Sequence, residues 1–202
     1  MAKFGKDRFP QNYQMHVGQY SKNQNLHANS IELANILVDY KVINSQSKIF
    51  EMGAGGCRNL YYIYKTLENI KDNNVKLYAN DLWKDSSFEN MHDDVKEVIT
   101  FFEGDSEDIV NNNKVEDLDL FLVSDHFMHL QYEKADNIIK KVILDWKPKN
   151  IILRELKKEF ETPEHPRLFH NYNQFLEKYD LIYETSSEQD KAYFIWLLKL
   201  KQ

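Results

Sequence analysis

The chain has 202 residues, 42% of them hydrophobic, and a formal charge of −6. These values predict an ordinary globular domain with room for a full core rather than a disordered or fibrous chain. No apolar run reaches the ~18 residues of a membrane-spanning helix, the acidic balance argues against a nucleic-acid partner, and the single cysteine, Cys57, excludes an internal disulfide and fits a reducing, cytoplasmic setting.

Residues 1–28 are polar and aromatic with weak periodicity, and are expected to form a flap or tail ahead of one domain over 29–202. Met1-Ala2-Lys3-Phe4 lacks the apolar core of a secretion signal. A helix is predicted to open at Asn29 or Ser30 as N-cap, with Ile31, Leu33, Ile36 and Leu37 near helical spacing. A strand follows at 48–52, then a helix from Arg58 to Ile70 with Leu60, Ile63, Tyr64 and Leu67 on one face. Val75–Asn80 reads as a second strand ending in Asp81, residues 85–97 as helical, and Val98–Glu103 as a third strand running into Gly104-Asp105-Ser106. After a short helix at 107–111 comes a fourth strand at 118–123, apolar enough to be buried on both faces. Amphipathic helices are predicted over 131–145 and 167–179, with a fifth strand at 151–155 between them. The last two strands, 181–184 and 192–198, are joined by a short polar turn and must pair antiparallel, because a parallel crossover needs a dozen or more residues.

The most informative stretch is Ser-Lys-Ile-Phe-Glu-Met-Gly-Ala-Gly-Gly-Cys-Arg-Asn at 47–59, where three of the six glycines fall within four positions. A glycine turn between a strand and a helix lets a ligand lie on bare backbone at a helix N-terminus. A dinucleotide fingerprint needs a third glycine where Arg58 stands, and a phosphate-binding loop needs Gly-Lys-Ser/Thr where Gly56 is followed by Cys57 and Arg58. What remains is an acid, Glu51, two residues before Gly-x-Gly. This resembles the first motif of the class I S-adenosylmethionine-dependent methyltransferases. The likeness continues in order through Asp81-Leu82, Gly104-Asp105-Ser106, the tip of strand four at Ser124 to Leu130, and Trp146-Lys147-Pro148-Lys149-Asn150.

The resemblance implies an α/β fold: a doubly wound, mostly parallel seven-stranded sheet with an antiparallel last strand and helices on both faces. It implies S-adenosyl-L-methionine as cofactor and S-adenosyl-L-homocysteine as product. Glu51 would hold the amino group, Gly53, Ala54, Gly55 and Asn59 would form the cradle, Asp81 would take the ribose, Leu82 would pack on adenine, Asp105 with Ser106 would meet the adenine amino group, and Ser124 would close the site. Cys57 stands where a third glycine is common, and Asn150 where a glycine of positive φ is common. His126 and His129, past strand four, are the candidate general bases, and no metal is implied. Two histidines and an arginine within 161–170 are candidate grips for a polar acceptor. The expected activity is methyl transfer to a small-molecule oxygen or nitrogen, with a protein or RNA acceptor, or a non-catalytic regulatory subunit, as alternatives. An oligomer is left open.

Overall fold

The computed structural model describes residues 24–67, 73–84, 86–89, 91, 93–157, 170–187 and 191–202. The expected flap falls largely outside them. The first described helix, α1 (Gln24–Asp39), already begins inside the stretch 1–28. Ser30 is therefore not an N-cap but a fully buried residue in the middle of α1.

Among the described residues seven strands follow: β1 (Lys48–Met52), β2 (Lys76–Asp81), β3 (Ile99–Glu103), β4 (Leu120–Ser124), β5 (Asn150–Leu156), β6 (Tyr179–Ser186) and β7 (Tyr193–Leu200). They form one sheet in the order β3-β2-β1-β4-β5-β7-β6. β1 to β5 pair in parallel, and β7 runs antiparallel between β5 and β6. The helices between the strands are α2 (Arg58–Leu67), the short α3 (Ser86–Glu89) and α4 (Asp93–Lys96), α5 (Ser106–Asn112) and α6 (Tyr132–Lys141).

Alternation along the strands makes the two cores. Ile49, Leu77, Leu120, Leu122, Ile152 and Leu197 face one way and pack with Leu33 and Leu37 of α1 and Leu60 and Ile63 of α2. Phe50, Phe121, Val123, Ile151 and Leu153 face the other and pack with Ile109 of α5 and Ala135, Ile138 and Ile139 of α6. Successive strand residues point to opposite faces, so a sheet covered on both sides needs the near-continuous apolar runs found in β1, β4 and β5. Trp146 locks the second layer: its ring meets Phe50 edge-on at 4.9 Å, and its Nε1 donates to the Val110 carbonyl at 3.0 Å.

Three local expectations change. Among the described residues of 85–97 the helical segments are the one-turn α3 and α4. The helix expected through Tyr179 is a 3-10 segment over Tyr172–Glu177, with Tyr179 already starting β6. α6 widens into a π turn at Val142–Trp146, and the residue of positive φ that ends it is Lys147 (φ 48), not Asn150, which is the first residue of β5.

Candidate functional site at the carboxyl ends of the strands

Strand order runs outward from β1 to β2 and β3 on one side and restarts at β4 on the other. The crevice between β1 and β4 is thus the switch point at which open α/β sheets bind ligands. The β1 loop supplies its floor. Gly53 (φ 68), Gly55 (φ 52) and Cys57 (φ 58) are all left-handed, so the turn doubles back tightly enough for α2 to start at Arg58. Cys57 adopts the conformation a glycine would take more cheaply, and its fully buried side chain packs in the core beneath the turn.

Glu51, the penultimate residue of β1, is 1% exposed. Asn59 Nδ2 donates to its Oε1 at 2.6 Å, while Oε2 is buried with no hydrogen-bond partner. Burial, helped by the charge of Asp81, pushes the carboxyl up to about 8 against the pull of the Asn59 bond, the charge of Arg58 and the nearby backbone N–H of Leu60. Ala54 donates its N–H to the Asn80 carbonyl at 2.9 Å, tying the glycine turn to β2. Asp81, at the tip of β2, accepts from Gly55 N and from Leu82 N, each at 2.7 Å. Leu82 itself is 45% exposed at the rim.

Asp105 and Ser106 begin α5. Asp105 caps that helix by accepting from Glu107 N at 2.9 Å and is ion-paired with Lys134 of α6. Partial burial raises its pKa, but the Lys134 and backbone bonds outweigh this and hold it below the usual carboxylate range. Ser106 is buried inside a polar network that spacing alone did not predict. Asn80 Nδ2 donates to the Phe102 and Gly104 carbonyls, both at 3.0 Å, so its Oδ1 is the acceptor for the Ser106 hydroxyl at 2.9 Å. With its only proton given to Asn80, Ser106 Oγ must accept from His126 Nε2, also at 2.9 Å. The tautomer is thereby assigned: Nε2 carries the proton, and the bare Nδ1 faces Gly53.

Desolvation, reinforced by the nearby His129 and Lys134, pushes the His126 imidazole down to about 3. His126 is thus a neutral, hydrogen-bonded wall residue. His129, half-buried, ends the 3-10 turn Phe127–His129 that follows. Ser124 ends β4 in register with Arg154.

Two buried ionisable residues, Arg154 and Glu155, lie behind this turn. Glu155 is fully buried and accepts from the backbone N–H groups of His126 at 3.0 Å, Phe127 at 2.9 Å and Met128 at 3.4 Å. Burial and the neighbouring Asp125 raise it to about 8 against those three donors. Arg154, 2% exposed, holds both Asp125 carboxylate oxygens at 2.6 Å and lies 4.0 Å from the Tyr193 ring centroid. A charged pair near the carboxyl end of an otherwise apolar strand is the sequence signal for this support. His170 donates Nε2–H to the Phe127 carbonyl at 2.7 Å and is buried, so it belongs to the same scaffold rather than to an open grip. His165 and Arg167 lie outside the described residues.

No protein-family model and no curated protein matches the chain. Solved structures match at low identity. A magnesium protoporphyrin IX methyltransferase from Synechocystis PCC 6803, with S-adenosylmethionine bound, superposes with a TM-score of 0.66 at 11% identity over 97% of this chain and 93% of its own. A mitomycin 7-O-methyltransferase gives 0.62 at 10% identity over 88% of this chain and 54% of its own. A small RNA methyltransferase gives 0.56 at 13% identity over 85% of this chain and 25% of its own. The chain thus spans about half of the second enzyme and a quarter of the third. With β7 inserted antiparallel between β5 and β6 and a left-handed glycine turn after β1, the chain has the fold of the class I S-adenosylmethionine-dependent methyltransferases.

Proposed function

We propose that the chain is an S-adenosylmethionine-dependent methyltransferase acting on an oxygen or nitrogen of a small molecule. One observation carries the reading: Glu51 Oε2, buried and without a partner at the switch point, under a left-handed glycine turn. A buried polar atom left unsatisfied costs about 1–3 kcal/mol, and a ligand ammonium would supply the missing donor. The residues present fit this cofactor. Glu51 would take its amino group, the Gly53–Gly55 backbone its tail, Asp81 the ribose hydroxyls and Leu82 a face of the adenine. Asp105, committed to Lys134 and the α5 cap, would orient that side.

When bound, the cofactor supplies a methyl group on a sulfonium, already a good leaving group. The protein's task is then to align the acceptor and exclude water. His126 holds the wall between the β1 and β4 loops. Because its bare nitrogen faces Gly53, His129 is the stronger candidate to take a proton from the acceptor. The formal charge of −6 favours a small acceptor over a nucleic acid.

Calorimetry with S-adenosylmethionine and S-adenosylhomocysteine tests the cofactor, and transfer of labelled methyl into metabolite extracts and into RNA tests the acceptor. Heat with both ligands and label in a small molecule is expected. No heat with either overturns the reading. Label in RNA alone reassigns the acceptor, and binding without transfer to either pool points to a regulatory subunit.

A further inference from the structure

A directed chain of hydrogen bonds runs to Glu51 from α1. Arg58 Nε donates to Ser30 Oγ at 3.0 Å, Ser30 Oγ donates to Asn59 Oδ1 at 2.6 Å, and Asn59 Nδ2 donates to Glu51 Oε1 at 2.6 Å. The direction follows from the Asn59 amide. Its NH2 faces the Glu51 carboxyl, so its carbonyl oxygen faces Ser30 and can only accept, and the Ser30 hydroxyl gives its proton to Asn59 while accepting from Arg58 Nε. Ser30 is fully buried and Asn59 is 8% exposed. A serine inside a helix ordinarily points to water or back to its own carbonyls, yet this one spans from α1 to the first turn of α2. The result is asymmetric: one oxygen of Glu51 is fixed by three links, and the other is left without a donor.

We propose that Ser30 and Arg58 are positioning residues that act through Asn59, turning the Glu51 carboxyl so that its second oxygen is presented to the ammonium of the cofactor's amino-acid tail. On this view Asn59 aligns the residue that touches the cofactor. The proposal rests on the cofactor reading above. It adds that α1, outside the glycine motif, sets recognition of the tail and not of the nucleoside.

The test compares two ligands that differ in that tail: S-adenosylhomocysteine and 5′-methylthioadenosine, which keeps the nucleoside and lacks the amino acid. Calorimetry is run on the wild type, Ser30→Ala and Ser30→Thr. Alanine is the better helix former, so Ser30→Ala is expected to fold, and a thermal melt checks it. Ser30→Ala is expected to weaken S-adenosylhomocysteine about tenfold, the loss of one well-placed hydrogen bond, while changing 5′-methylthioadenosine less than about twofold. Ser30→Thr keeps the hydroxyl and is expected to restore the wild-type ratio of the two affinities, even where its extra methyl lowers the melting temperature. Equal weakening of both ligands by Ser30→Ala, or no change in either, overturns the proposal. A wild-type protein that binds neither ligand instead overturns the cofactor reading on which the proposal stands.

Discussion

The His126 imidazole lies so close to the Gly53 Cα that a Cβ added at Gly53 would fall 2.3 Å from both its Cγ and its Nδ1. The first glycine of the loop is therefore required twice over, by its φ of 68° and by this contact between the β1 and β4 loops. Gly53→Ala must push the ring off Ser106 or open the turn. We expect a loss of about 2–4 kcal/mol in urea unfolding, from overpacking plus a left-handed alanine. In Gly53→Ala/His126→Ala the clash is gone and only the backbone strain remains, so the double variant is expected to be more stable than the sum of the two singles implies. Strict additivity would show that the two loops are not in contact.

Glu51 gives a pH dependence of definite sign. Its carboxyl is pushed up to about 8 in the folded chain by burial and titrates near 4.3 when unfolded. The folded state therefore holds a proton that the unfolded state has lost between these values. The contribution is complete below pH ~4.3 and is lost as pH rises toward 8. Glu155 acts in the same direction. Below pH ~6.5 the lowered His126 and His170 oppose this slope, so ligand-free protein is expected to lose stability from about pH 6.5 to 8, and Glu51→Gln is expected to show a shallower decline in urea titrations across that window. Parallel curves would mean that Glu51 is ionised throughout. The same protonation predicts proton release when a ligand ammonium docks, read as a dependence of the calorimetric heat on the buffer's ionisation enthalpy.

His126 has the opposite sign. Desolvation holds it near 3 in the folded chain, against ~6.5 when unfolded, so its contribution is present above pH ~6.5 and lost as pH falls toward 3. It is neutral across the working range and cannot be the source of an acidic limb in a rate profile. Methyl transfer by His126→Gln is expected to be slower because the wall is disturbed, with the midpoint of any acidic limb unchanged, while His129→Gln removes the limb. A limb abolished by His126→Gln alone would make His126 the titrating base.

The strands and the glycine turn were legible because their signals are local. A sheet buried on both faces demands apolar runs, and a turn with three left-handed residues demands glycine or its nearest substitutes. Even the antiparallel closing hairpin followed from loop length alone. The second layer of the site was not legible in the same way. Ser30 carries the chemistry of an N-cap and sits before an apolar periodic run, so local reasoning placed a helix start there. Its actual partner, Asn59, is 29 residues away, and no local preference encodes that. Asn80, Arg154 and Glu155 are similar cases: each is a polar residue on a buried strand, and what it serves is set by the neighbouring strand or loop. Its place after β4 makes His126 a candidate base in the sequence. Its tautomer depends on a network through Ser106 and Asn80 that exists only once three loops meet.

The turn into β5 shows how one residue's displacement changes a prediction. The family likeness placed the permissive position at Asn150, but the left-handed residue is Lys147, at φ 48° and ψ 53°, closing the π turn by donating its N–H to the Val142 carbonyl at 2.8 Å. Lys147 is exposed, so its side chain has little packing to lose. A left-handed non-glycine residue costs about 1–2 kcal/mol, and the extra freedom glycine brings to the unfolded chain returns about 0.4–1 kcal/mol of that. Lys147→Gly should therefore raise stability by up to ~1.5 kcal/mol. Asn150 is in extended backbone as the first residue of β5, and its Nδ2 donates to the Asp119 carbonyl at 3.1 Å. Asn150→Gly loses that bond and loosens the strand, and is expected to cost about 1 kcal/mol. Thermal melts of the two variants should move in opposite directions, and a stabilising Asn150→Gly would put the left-handed residue back where the family pattern has it.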